Sequence, residues 1–129
     1  MDYMNINAAF VGGGNMGGAL IRGLIARGMP AKNIRVGEAH EPRRASLADE
    51  LGVYTTADNR EAVTGADVVV LAVKPQDMAA TVQPLADVLA QRRPLVISIA
   101  AGIRIADIER WTQVGLRGRS PRTGTATPR

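Results

Sequence analysis

The chain has 129 residues, of which 46% are hydrophobic, and it carries a formal net charge of +4 and no cysteine. This length allows one domain with a sizeable core, and the missing thiols exclude disulfides and thiolate metal sites. The four surplus arginines all lie after residue 111, so the body of the chain has no basic stripe for nucleic acid. Because neither a signal peptide nor a membrane-spanning run is recognised, we expect a cytoplasmic protein without membrane or nucleic-acid partners.

The first predicted strand, Ala8–Val11, leads directly into the sequence Gly-Gly-Gly-Asn-Met-Gly at residues 12–17 and then into an apolar helix. A phosphate needs backbone N–H groups within hydrogen-bond distance. Gly12 allows a tight turn, Gly14 allows the close approach of a pyrophosphate, and Gly17 lets the helix pack on the strand. The helix N-terminus adds unpaired N–H groups and the positive end of its dipole. This pattern predicts a dinucleotide-binding turn.

The second predicted strand ends at Glu38, about twenty residues after the glycine turn, where dinucleotide-binding proteins contact the adenosine ribose. A carboxylate at this position would bind the 2′-hydroxyl of NAD, whereas Arg43 and Arg44 would accept the 2′-phosphate of NADP. Both residue types are present, so we expect NADP to be preferred and leave NAD open. The alternative for the two arginines is that they are solvated charges at a helix start.

The fourth predicted strand, Val68–Val73, runs into Lys74 and Pro75. Proline has no N–H and pushes the preceding residue into an extended conformation, so the strand must stop with Lys74 at its carboxyl end. That end is the ligand edge of a parallel sheet, although a solvated charge is an equally good interpretation of Lys74 alone. The fifth predicted strand ends in Ser-Ile-Ala-Ala-Gly at residues 98–102, where small side chains leave space for a flat ring.

The alternation of apolar and amphipathic runs predicts an α/β fold with a parallel sheet and helices on both faces. The predicted strands are Ala8–Val11, Ile34–Glu38, Val53–Thr55, Val68–Val73 and Leu95–Ala100. The predicted helices are Asn15–Arg27, Pro42–Leu51, Arg60–Thr64 and Asp77–Leu89, followed by a last helix that reaches Trp111. Right-handed crossovers and one phosphate-binding turn after the first strand predict a doubly wound sheet in the order 3-2-1-4-5.

Three segments resemble signature segments of pyrroline-5-carboxylate reductases: Phe10–Gly17, Leu71–Gln76 and Ser98–Gly102. The resemblance covers residues 6–111 and implies a Rossmann fold and the reduction of 1-pyrroline-5-carboxylate to L-proline by NAD(P)H. Together with the motifs, it predicts these cofactor-binding residues: Gly12, Gly14, Asn15, Met16, Gly17, Glu38, Arg43, Arg44, Ala72, Val73, Lys74, Pro75, Ala100 and Gly102. We predict no catalytic or metal-binding residue, since His40 is the sole histidine.

The composition changes at Thr112, and residues 112–129 have no usable hydrophobic period. This predicts a dinucleotide-binding domain of residues 1–111 and a basic, disordered tail of residues 112–129. Members of the resembled family continue past the position of Trp111 into a sixth strand and a mostly helical domain that builds the imine pocket and the homo-oligomer. We therefore interpret the chain as truncated or frameshifted after Trp111, inactive alone, and left with its fifth strand as an exposed apolar edge.

Two other interpretations stay open. The chain could be a free-standing dinucleotide-binding module or redox sensor that docks a partner through its basic tail. It could also be another imine or hydroxy-acid reductase with the same glycine turn, although the segments at residues 71–76 and 98–102 weigh against this.

Overall fold

Six parallel strands form one sheet in the computed structural model, which describes residues 5–119. The strands are β1 (Ala8–Val11), β2 (Ile34–Gly37), β3 (Tyr54–Thr56), β4 (Val68–Leu71), β5 (Leu95–Ser98) and β6 (Arg117–Arg119). Their order along the sheet is β3-β2-β1-β4-β5-β6. The predicted α/β class and the predicted order 3-2-1-4-5 are confirmed, with one strand added at the β5 edge.

The central strand β1 is buried over its whole length. Phe10 lies opposite Val36 of β2 and Val70 of β4, and these three side chains belong to the core on one face of the sheet. Val11 and Leu71 belong to the core on the other face. The chain leaves β1 toward β2 and returns to the other side of β1 in β4, so right-handed connections from the two sides run over opposite faces of the sheet. In a doubly wound sheet this is the place where a crevice forms at the carboxyl ends of the strands.

Six helices cover the two faces within the described range. They are α1 (Asn15–Ala26), α2 (Glu41–Leu51), α3 (Asn59–Val63), α4 (Met78–Val82), α5 (Ala86–Arg92) and α6 (Ile105–Thr112). None of the helices in residues 5–119 is long and apolar enough to cross a membrane. Local signals set several ends: Gly52 ends α2 in the left-handed conformation, and the Asp58 carboxylate begins α3 by accepting the N–H of Arg60 at 3.0 Å.

The single helix expected over Asp77–Leu89 is divided into α4 and α5 by a 3-10 turn at Gln83–Leu85. Pro84 lies within that turn, and because it has no N–H, the α-helical hydrogen bonding cannot pass through it. The strands β4 and β5 each end two residues before the predicted ends at Val73 and Ala100.

The expectation of a disordered tail from residue 112 is wrong for residues 112–119. Thr112 is the last residue of α6, and Leu116 donates its N–H to the Glu109 carboxylate at 2.7 Å while its side chain packs on the core. These contacts direct the chain back to the sheet, where β6 pairs with β5 over Leu95–Ile97. The prediction that β5 forms an unpaired edge is therefore also wrong over Leu95–Ile97. Residues 120–129, the rest of the predicted tail, lie outside the described residues.

Gly118 explains how such a polar segment forms a strand there. A Cβ on Gly118 would lie 2.6 Å from both the Val96 carbonyl oxygen and Ile105 Cδ1. Only a glycine lets the backbone pass so close to β5 and α6.

Candidate functional site

The glycine turn joins β1 to α1 where three parts of the chain meet. Gly12 has φ +94° and donates its N–H to the Gly37 carbonyl at 2.7 Å. A Cβ on Gly12 would lie 2.8 Å from the Ala72 oxygen, and a Cβ on Gly17 would lie 2.8 Å from the Gly12 oxygen. The turn, the first turn of α1 and the segment after β4 are thus packed too closely for a methyl group at either glycine.

The N-terminus of α1 is open on its outer side. Gly14 is the N-cap residue, no side chain of the described residues caps the helix there, and the first turn carries no acidic residue. A Cβ on Gly14 would meet no atom within 4 Å. Asn15 and Met16 are exposed, Met16 to 62%. The helix therefore presents its first N–H groups to a space that an anion can enter.

Glu38 follows β2 and contacts the glycine turn directly. Its side chain is buried, and Oε1 accepts the N–H of Gly13 at 2.7 Å while Oε2 accepts the N–H of His40 at 2.9 Å. Burial raises the pKa of this carboxyl, but the N–H groups of His40 and Gly13 and the charge of Arg43 together lower the pKa of Glu38 below its ordinary value. The site thus holds a fixed, ionised carboxylate beside the turn.

The two arginines at the start of α2 have different surroundings. Arg44 Nη1 donates to the carbonyl oxygens of Glu38 at 2.8 Å and Ala39 at 3.0 Å, so its guanidinium holds the end of β2. Arg43 is half-exposed, and its Nη1 lies 3.4 Å from Glu38 Oε2. His40 Nδ1 caps α2 by accepting the N–H of Arg43 at 3.3 Å. Of the two, only Arg43 has a side chain that can turn toward a ligand without breaking a bond to the backbone.

The segments that follow β4 and β5 lie beside the glycine turn at the same sheet edge. The Ala72 N–H donates to the Val11 carbonyl at 2.8 Å, and the Ile99 N–H donates to the Leu71 carbonyl at 3.1 Å. After β4, the exposed Lys74 begins a 3-10 turn at Pro75–Asp77. After β5, Ala100 is buried and Gly102 has φ +81°.

The predicted site residues therefore fall into two groups. The structure packs Gly12 and Gly17 against Ala72, and Val73 Cγ1 would lie 3.0 Å from a Cβ on Gly12. Glu38 accepts the N–H of Gly13 and pairs with Arg43, so it connects Arg43 to this cluster around the glycine turn. The other predicted residues lie along the same edge, and Arg44 among them contacts this cluster through the Glu38 carbonyl oxygen. Those residues are Gly14, Asn15, Met16, Arg44, Lys74, Pro75, Ala100 and Gly102.

Sequence reasoning missed three residues of this region. Gly13 was not predicted as a site residue, although its N–H binds Glu38 and a Cβ there would lie 2.6 Å from Leu47 Cδ1; the run of three glycines was the available signal. His40 was not predicted as a helix cap. Ser98 has a buried hydroxyl with no hydrogen-bond partner in the part of the chain that the structure describes, and no sequence pattern indicates this.

A cavity of about 200 Å³ lies at the opposite edge of the sheet, at the amino ends of the strands. Asn7, Lys32, Arg35 and Gly65 are among its lining residues. Among residues 5–119, the acidic residues and the histidine form no cluster that could hold a metal ion.

Comparison with known proteins gives consistent matches for this fold and turn. The profile of the family described as NADP oxidoreductase, coenzyme F420-dependent, matches residues 7–102. The pyrroline-5-carboxylate reductase of Pseudomonas aeruginosa is 48% identical over 103 residues, which are 80% of this chain and 37% of that protein. The chain thus spans well under half the length of that relative.

Two solved structures are also similar. A pyrroline-5-carboxylate reductase from Coxiella burnetii superposes with a TM-score of 0.84 at 39% identity, over 88% of this chain and 43% of that one. The Plasmodium falciparum pyrroline carboxylate reductase, solved with NADP bound, superposes with a TM-score of 0.71 at 25% identity, over 84% of this chain and 38% of that one.

Proposed function

This chain belongs to the NADP oxidoreductase, coenzyme F420-dependent family, and we propose that it is the dinucleotide-binding part of a pyrroline-5-carboxylate reductase. The observation that supports dinucleotide binding most is the uncapped N-terminus of α1 behind the glycine turn, where a Cβ on Gly14 would find open space, and the similarity to the Pseudomonas and Coxiella reductases supports the reductase. A pyrophosphate suits such a helix end, because the N–H groups and the helix dipole both favour an anion.

The described residues suit a nicotinamide dinucleotide at the carboxyl edge of the sheet. The N–H groups of Gly14, Asn15 and Met16 would hold the pyrophosphate, and Glu38 and Arg43 would face the adenosine ribose. The segments after β4 and β5, which include Ala72 to Pro75 and Ala100 to Gly102, would line the nicotinamide half. When bound, the nicotinamide supplies a hydride.

The proposed substrate is 1-pyrroline-5-carboxylate, because the Pseudomonas and Coxiella proteins both bear the name of that activity. The hydride would reach the imine carbon, a proton would reach the nitrogen, and the product would be L-proline. We assign no catalytic residue within residues 5–119. We therefore propose that the 129-residue chain binds the cofactor without turning over the imine, since turnover needs a second set of groups to hold the imine carbon.

Among nicotinamide cofactors, we propose that NADP(H) is preferred and that NAD(H) is accepted. Arg43 supports NADP(H), because it is half-exposed and held by one contact of 3.4 Å to Glu38. Arg44 supports it less, because its guanidinium binds two backbone carbonyls.

The alternative of a free-standing dinucleotide-binding module is also compatible with the fold, although reductases of the resembled family likewise continue into a sixth strand. The strand β6 covers β5 over Leu95–Ile97, so the apolar strand that we expected to be bare is paired. A domain with a covered edge is less prone to aggregate than one with an open apolar edge.

One experiment tests the proposed function. NADPH fluorescence would be titrated with the 129-residue chain, and the oxidation of NADPH would be followed with and without pyrroline-5-carboxylate. A version extended with the remaining part of a relative such as the Pseudomonas reductase would be assayed beside it. We expect cofactor binding by both proteins and imine-dependent oxidation only by the extended one. Binding without turnover in both would favour the stand-alone module, and no binding in either would contradict the proposal.

A further inference from the structure

Glu38 lies between two parts of the proposed cofactor site. One carboxylate oxygen is fixed on the glycine turn by Gly13, at 2.7 Å, and the other is held by the His40 N–H at 2.9 Å and approached by Arg43 at 3.4 Å. The side chain of Glu38 is 9% exposed and that of Arg43 is 46% exposed. The carboxylate is therefore fixed in place, whereas the guanidinium rests against it from the solvent side.

We propose that Arg43 exchanges Glu38 for the 2′-phosphate of the cofactor, so that this one site accepts both NADH and NADPH. The proposal rests on the proposed function, because it concerns how the same site distinguishes two cofactors. It assigns the distinction to the Glu38–Arg43 pair and excludes Arg44 from it.

With NADH, the pair stays together. Oε1 of Glu38 accepts the N–H of Gly13, and because a carboxylate oxygen can accept two hydrogen bonds, Oε1 has capacity for one more donor. The ribose 2′-hydroxyl is such a donor, and Arg43 then keeps the carboxylate charge balanced. No contact that the structure contains has to break.

With NADPH, the pair must separate. The 2′-phosphate and the ionised Glu38 carboxylate would repel each other in a partly buried space. Arg43 can leave Glu38 and bind the phosphate with its planar guanidinium, which matches phosphate geometry. The free energy that Arg43 gains by pairing with the phosphate is offset by the loss of its ion pair with Glu38, so the net preference for NADPH stays small.

Arg44 cannot take this role. Its guanidinium is held by the Glu38 and Ala39 carbonyl oxygens at 2.8 and 3.0 Å, and moving it would leave both without this donor. The exchange therefore depends on Arg43 alone.

The test measures the dissociation constants of the 129-residue chain for NADH and NADPH in three variants. Glu38→Gln removes the negative charge, Arg43→Gln removes the exchanging cation, and Glu50→Gln is the matched control. Glu50 also forms an Arg–Glu pair, at 2.9 Å with Arg22, but both side chains are about half exposed and lie outside the proposed site. Far-UV circular dichroism and thermal unfolding report whether each variant is folded.

We expect the parent to bind both cofactors within roughly tenfold of each other. A charge-assisted hydrogen bond contributes about 1.5–3 kcal/mol, or roughly a tenfold to hundredfold change in affinity. Glu38→Gln should shift the affinity ratio toward NADPH by that factor. Arg43→Gln should shift it toward NADH by a smaller factor, because Arg43 gives up Glu38 to bind the phosphate, and Glu50→Gln should leave it unchanged. In the parent, added salt should weaken NADPH binding more than NADH binding.

Two results would overturn the inference while leaving the proposed function intact. If Glu38→Gln weakens both cofactors by the same factor, Glu38 only supports the glycine turn. If Arg43→Gln leaves the ratio unchanged, Arg43 does not bind the phosphate. If Glu38→Gln does not fold, the inference is tested by the affinity ratio of Arg43→Gln and by the salt dependence of cofactor binding in the parent. A parent that binds neither cofactor would instead contradict the proposed function.

Discussion

Replacement of Gly14 by valine separates cofactor binding from folding. A Cβ at Gly14 would meet no protein atom within 4 Å, and the residue has φ −70°, which any L-residue adopts. We expect the free energy of unfolding to fall by no more than about 1 kcal/mol, the usual cost of a poor N-cap residue. The valine methyl groups, however, would fill the space in front of the first N–H groups of α1.

The expected loss of affinity is large. If two N–H groups lose their bonds to the pyrophosphate, each contributing about 1.5–3 kcal/mol, the total is roughly 3–6 kcal/mol. At about 1.4 kcal/mol for each tenfold change, the affinity should fall by at least about a hundredfold. Fluorescence titration with NADPH measures this, and urea unfolding measures stability.

Gly23→Ala is the matched control, because a Cβ there also meets no atom within 4 Å and the position lies inside α1. It should raise stability by about 0.5–1 kcal/mol and leave the affinity unchanged. An unchanged affinity in Gly14→Val would refute the assignment of this turn as the pyrophosphate site.

Three further predictions concern stability. Gln113 has φ +61° at the end of α6, so Gln113→Gly should raise the free energy of unfolding by about 1 kcal/mol, and a decrease in urea unfolding would contradict this. The Ser98 hydroxyl is buried without a partner among the described residues, so Ser98→Ala should leave the thermal midpoint unchanged or higher; a marked drop would indicate a partner. Hydrogen bonds from Arg60 lower the pKa of Asp87 from 3.8 to about 2, so its ionised form stabilises the fold above pH 3.8 and this contribution is lost as the pH falls toward 2. Asp87→Asn should flatten the decline of the urea midpoint over that range, and an unchanged slope would show that the pair does not stabilise the fold.

The sheet order could be predicted because it follows from rules that act along the chain. The β-α-β rhythm, the right-handed crossovers and the glycine turn after β1 leave few arrangements of five strands. Pro84 could also have been interpreted correctly, since proline interrupts an α-helix wherever it lies inside one.

The β6 strand could not be predicted in this way. Its sequence, Arg-Gly-Arg, has no strand propensity, and the strand forms because β5 offers an edge and Gly118 fits between Val96 and Ile105. The same limit applies at the site. Arg43 and Arg44 are neighbours in sequence, but on a helix they point in directions about 100° apart. Only the three-dimensional contacts show that Arg44 holds the backbone while Arg43 pairs with the Glu38 carboxylate.

The most direct test of the central claim is to map NADPH binding onto the backbone amides of the isotope-labelled 129-residue chain by NMR. The account predicts that amide shifts change at residues 12–17, 38–41, 43, 72–74 and 100–102, which lie along the carboxyl edge of the sheet. It predicts no change around the cavity at the amino edge, at Lys32, Arg35 and Gly65. Shifts confined to that cavity, or no shifts at saturating NADPH, would contradict the claim that the glycine turn binds a dinucleotide.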